Sequence, residues 1–113
     1  MKLDSVRAHA LSLEAVTEAP HHHFSSFRVR GKIFVTMPPD EQFIHVFVGE
    51  EDRAQALALY PEFTERLLWG GKVVGLRVAL QSAKPQAVKA LVSKAYKTRV
   101  RKDAGPRPSK GTR

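Results

Sequence analysis

The chain has 113 residues, the size of one ordinary domain, and is 42% hydrophobic and 27% charged, the composition of a globular protein with room for a single core. It contains no cysteine, which excludes disulfide frameworks, thiol redox chemistry, cysteine nucleophiles and cysteine-ligated zinc. Nineteen Lys and Arg against eleven Asp and Glu give a formal charge of +8, which favours anionic partners, nucleic acid first.

The charge is unevenly placed. Residues 1–96 carry 12 basic and 10 acidic side chains, whereas residues 97–113 carry 7 basic and 1 acidic. Most of the excess therefore lies at the C-terminal end. Asp4, Arg7, His9 and Glu14 interrupt the apolar positions of the N-terminus, so no signal-peptide core is expected there. No run approaches the length of a membrane span, and a cytoplasmic location is the default expectation.

Leu3, Val6, Ala10 and Leu13 recur at helical spacing and predict an amphipathic first helix, ended by Pro20 and the His21-His22-His23 run. Three β-rich runs follow: 23–29, 32–37 and 42–48. Arg30-Gly31 separates the first pair and Pro38-Pro39-Asp40 the second, which predicts an antiparallel meander. Glu50, Glu51 and Asp52 then favour the positive end of a second helix, carried by Ala54, Leu57 and Ala58 and stopped by Pro61. Strands over 66–69 and 73–80 form a hairpin about Gly70-Gly71-Lys72; Val74, Leu76, Val78 and Leu80 give the second an apolar face. Pro85 opens the last helix, whose stripe is Val88, Leu91, Val92, Ala95 and Tyr96. The expectation is one α+β domain over 1–100, a two-layer sandwich of order α-β(3)-α-β(2)-α with an antiparallel sheet. Residues 101–113, rich in Pro, Gly and charge, read as a basic disordered tail.

Three features bear on chemistry. His21 and His23 would share a face of an extended strand, and His45 could join them as a third metal ligand, but no further ligand follows by spacing. The plainer reading is a solvated linker, and no metal or cofactor is expected. Ser25 and Ser26 lie near these histidines without a GxSxG elbow, and both phosphate-cradling glycine motifs are absent, so the chain does not read as an enzyme. The hairpin tips are better candidates. Arg28, Arg30 and Lys32 surround Gly31, and Lys72 follows Gly70-Gly71 with Arg77 further along its strand. Such glycine-tipped ribbons bring backbone and cations close to phosphates; charged tips also serve solubility and edge protection. Lys97, Arg99, Arg101, Lys102, Arg107, Lys110 and Arg113 would add contacts without sequence preference.

Five of the six Phe fall in the three-strand region, and in 42–48 Phe43, His45 and Phe47 share the face opposite Ile44, Val46 and Val48. That second apolar face suits a base-stacking platform or a dimer interface. Cover by the C-terminal helix and the linkers is the favoured expectation.

Phe27-Arg28-Val29-Arg30-Gly31-Lys32-Ile33-Phe34 resembles the FRVGGKxF hairpin of the MmcQ/YjbR family. Leu68-Trp69-Gly70-Gly71-Lys72 and Ser93-Lys94-Ala95-Tyr96 match it in order and spacing, so the resemblance covers about residues 5–99. It implies an α-β(3)-α-β(2)-α sandwich of the secretion-chaperone or frataxin type and a double-wing DNA-binding protein, with no catalytic residues to carry over. The chain departs from the family at Arg30, where Gly is usual. The functional expectation is phosphate contact with duplex DNA through two basic wings and the tail. The alternative is a protein-interaction or chaperone-like module, a homodimer included, that uses the aromatic sheet face.

Overall fold

The computed structural model describes residues 1–40 and 42–103, and the side chains of Lys102 and Asp103 are not among the described parts. Among these residues the order is α1 (Leu3–Leu11), β1 (Val16–His21), β2 (Phe24–Val29), β3 (Lys32–Met37), β4 (Phe43–Val46), α2 (Glu50–Leu59), β5 (Thr64–Trp69), β6 (Lys72–Ala79) and α3 (Pro85–Asp103). All strand pairs are antiparallel, in the spatial order β1-β2-β3-β4-β6-β5.

The α+β sandwich expected from the sequence is thus present, with one strand more than the five expected. The addition is β1, which pairs Val16 with Val29 and His21 with Phe24. Pro20 sits within it because β1 is an edge strand, where an outward backbone position needs no N–H. His21-His22-His23 is consequently a hairpin turn, with His22 at φ 58°, and not an extended linker. The third β-run is also shorter than its composition suggests, since Phe47 and Val48 lie in the connection between β4 and α2.

The three helices lie on one face. The stripe on α3, with Val88, Leu91, Val92 and Ala95, packs on Phe27, Val29, Phe34, Val35, Ile44, Val46, Leu76 and Val78. Phe34 meets the Tyr96 ring edge-on at 5.8 Å. Flanking helices are tied to α3 by polar contacts: His9 Nε2 and Ser93 Oγ lie 2.9 Å apart, and Lys94 Nζ donates to Gln55 Oε1 at 3.2 Å. α3 does not supply the expected cover of the second sheet face, because its stripe packs on the core face, yet Ser26, Thr36, His45 and Phe47 on that second face are buried all the same. α3 also runs through Asp103, past the domain boundary expected at residue 100. The tail from 104 onward, with Arg107, Lys110 and Arg113, lies outside the described residues. No helix among the described residues is long and apolar enough to cross a membrane.

Candidate nucleic-acid interface

The register brings the two glycine-tipped hairpins to one end of the sheet. Val46, the last residue of β4, pairs with Val35 on one side and Leu76 on the other. From those partners β3 continues three residues outward to Lys32 and β6 four residues outward to Lys72. At about 3.3 Å per residue, both hairpins overhang β4 by about 10 to 13 Å. Their midlines lie three strand spacings apart, about 14 Å at the level of the sheet. Arg30 and Gly31 both have positive φ, 53° and 79°, as do Gly70 and Gly71, at 58° and 80°. Paired positive φ values are what a two-residue hairpin turn requires, and Arg30 occupies such a position at a cost that glycine avoids.

The predicted contact residues divide into three groups. Arg30, Lys32 and Lys72 are exposed at the tips. Arg28 and Arg77 lie on the sheet face away from the helices, where their guanidinium groups are engaged. Arg28 Nε donates to Ser26 Oγ at 3.0 Å and Nη2 to the Pro20 carbonyl at 3.0 Å, which clasps β2 to β1. Arg77 Nη1 donates to Glu65 Oε1 at 2.7 Å, and its guanidinium lies 3.6 Å from the centroid of the Phe43 ring. The last group belongs to α3. Arg99 Nε donates to the Ile33 carbonyl at 2.8 Å, so the end of α3 is fastened beside the first tip. Lys97 and Arg101 are exposed in that same segment, and Lys102 follows in the last turn. Cations there also suit the negative end of the helix dipole. Glu50 and Glu51, exposed at the start of α2, stand at the same end of the sheet and temper its positive charge.

Across the open face runs one transverse row: Ala19, Ser26, Thr36, His45, Arg77 and Glu65 are successive cross-strand partners from β1 to β5. Thr36 Oγ1 and His45 Nδ1 lie 3.3 Å apart. Burial holds the His45 imidazole below its ordinary pKa, and the neighbouring Arg77 charge lowers it further. His45 therefore does not meet His21 and His23 as a metal ligand. Among the described residues, no three His, Asp or Glu side chains gather to hold an ion.

Above this row the sequence reading missed the most informative side chain. Trp69 is 50% exposed, its ring 5.4 Å from that of Phe47. A cleft of about 260 Å³ is lined by His21, His22, Phe24, Thr36 and Trp69. Two local features lie beside it: a register irregularity between Leu67 and Leu68, and Gly75, whose bare Cα admits the Val46 carbonyl. The signal was legible only as a tryptophan next to a Gly-Gly turn. A second cleft, of about 440 Å³, includes Arg7, Glu18, Ser25 and His23. Its polar groups satisfy one another: Arg7 Nε donates to Glu18 Oε1 at 2.9 Å and Ser25 Oγ to Glu18 Oε2 at 2.8 Å. The hydrogen bond from Arg7 holds the Glu18 carboxyl below its ordinary pKa against the opposing effect of burial.

This frame can be compared with known families. A model of the YjbR family matches residues 11–98, more than three quarters of the chain. The chain belongs to the YjbR family. A search of curated proteins finds no match. The YjbR match takes in both glycine-tipped hairpins, the Trp69 cleft and α3 as far as Thr98. It stops short of Arg99, Arg101 and Lys102, so the basic end of α3 lies outside the segment that defines the family.

Proposed function

We propose that this YjbR-family protein binds nucleic acid by its phosphates, through the end of the sheet at which both basic hairpins and the C-terminal turn of α3 meet. The observation that carries the reading is the shared overhang of the two tips beyond β4, with Arg30 and Lys32 on one and Lys72 on the other. At the level of the sheet the hairpin midlines lie about 14 Å apart, of the order of the roughly 12 Å width of a DNA major groove. Arg30 adds weight. An arginine held at positive φ spends stability where glycine would be easier, and such strain gathers at functional sites. Arg28, Arg77 and Arg99 act as structural ties, each half-buried and bonded within the fold, whereas Arg30, Lys32 and Lys72 are exposed at the tips. The role proposed is binding without catalysis.

The test is the affinity of the full chain for a labelled duplex at low salt, compared with the Arg30→Ala/Lys72→Ala variant. Weakening of at least tenfold with an unchanged melting temperature is expected, and equal affinity refutes the wing reading. The helix-free sheet face supports a second reading, a protein-interaction module or homodimer built around Trp69, which is 50% exposed there. Sedimentation tests it, and a strict monomer at high concentration argues against the homodimer.

A further inference from the structure

We propose that the uncovered sheet face holds a stacking site for one unpaired nucleobase, with Trp69 as the stacking ring and Lys72 as the contact for the attached phosphate. The inference rests on the nucleic-acid reading above and deepens it, since it assigns single-stranded segments to a face that a duplex does not use.

The cleft has the size and the walls for this ligand. Its volume of about 260 Å³ lies below the roughly 300 to 1,000 Å³ of sites for larger small molecules, which suits one flat ring system. Three kinds of ring line it, indole, phenyl and imidazole, from Trp69, Phe24, His21 and His22. Two of them are braced from behind. Phe47 stands 5.4 Å from the Trp69 ring and His45 stands 5.9 Å from the Phe24 ring, so neither surface has to be ordered when a ligand arrives. Thr36, 1% exposed and with its hydroxyl 3.3 Å from His45 Nδ1, forms the floor of the cleft.

Charge selects the occupant. Trp69 and Lys72 are directly opposed across the β5–β6 ladder, and opposed residues share a face with Cβ atoms about 5 Å apart. A long cationic side chain rooted beside the ring on the same face can reach the phosphate attached to a stacked base. Among the described residues no carboxylate lines the cleft, so none of them offers a counter-charge to a cationic ligand. In a duplex the bases remain stacked on one another, whereas in a single strand each presents a π-face.

Trp69 is the only tryptophan of the chain, so its fluorescence reports on this cleft alone. The full chain is titrated at low salt with a ten-nucleotide thymidine strand, an abasic strand of equal length and charge, and a blunt hairpin duplex. Sedimentation of the free chain accompanies the titrations. The thymidine strand is expected to quench Trp69 and to bind about tenfold more tightly than the abasic strand, the order of one stacked base. Trp69→Leu should remove that advantage and leave duplex binding unchanged, and Phe24→Leu, with Trp69 still present as the reporter, should reduce both the quenching and the advantage. Equal binding of thymidine and abasic strands without quenching overturns the stacking site and leaves the wing reading standing. No binding to any of the three overturns both. A dimer in which Trp69 emission shifts to the blue gives the face to a second copy of the chain and also overturns the proposal.

Discussion

Replacing Gly75 with alanine tests the packing that shapes the whole candidate site. A Cβ at this position would lie 2.5 Å from the Val46 carbonyl oxygen and 3.3 Å from both Cα and Cδ1 of Phe47. The first contact is with backbone and no rotamer relieves it. Either β6 or the end of β4 must move by about half an ångström or more, next to the Val46–Leu76 pair and under the ring that braces Trp69. Overpacking of this kind costs about 1 to 3 kcal/mol. For a folded unit of about 100 residues, each kcal/mol lowers the melting temperature by about 4 to 8 °C, so a fall of about 8 to 16 °C is expected for a 2 kcal/mol loss. Thermal unfolding followed by circular dichroism measures it, and Trp69 emission should shift as Phe47 is displaced. A melting temperature within about 2 °C of the parent would refute the claim that β4 and β6 touch so closely there.

Three further predictions concern stability and pH. Arg30→Gly should raise stability by up to about 1 kcal/mol by relieving a positive φ, while weakening duplex binding; paired denaturation and binding curves check it, and a loss of stability contradicts the turn geometry. The depressed pKa of His45 means that the unfolded chain takes up a proton near its ordinary value of 6.5 while the folded chain does not. Stability should therefore decline as pH falls below about 6.5, and His45→Gln should flatten that decline in urea denaturation between pH 7.5 and 5.5. Phe27→Ala, which empties a fully buried position beneath α3, should cost about 3 to 5 kcal/mol by the same assay; a loss under 1 kcal/mol would show that the site is not core.

Much of this architecture was legible in the sequence because burial on one face imposes a period. The α3 stripe from Val88 to Tyr96 and, on the second hairpin, Leu76, Val78 and Leu80 pack as their spacing implied, whereas Val74, beside the strand irregularity, stays out of the core. β1 was hidden for the opposite reason. As an edge strand with no fully buried residue it carries little alternation, and Pro20 and three histidines resemble a linker. The tips were legible from glycine and charge, since two-residue turns demand positive φ. Which cations are available was not, because that depends on cross-strand partners. Glu65 reaches Arg77 and the Pro20 carbonyl reaches Arg28 from neighbouring strands. The open face was likewise beyond reach: five Phe in neighbouring strands divide between two faces, and only the placement of α3 decides that Phe27 and Phe34 enter the core while Phe24, Phe43 and Phe47 do not.

The most direct test of the central claim is the salt dependence of duplex binding by a chain ended after Asp103, where α3 ends and the tail residues 104–113 are removed. If Arg30, Lys32 and Lys72 each neutralise a phosphate, the log–log slope should be about −2.7 or steeper, and Arg30→Ala/Lys72→Ala should make it shallower by about 2. Complete loss of binding on removal of 104–113, or a slope unchanged by the double substitution, would contradict the account.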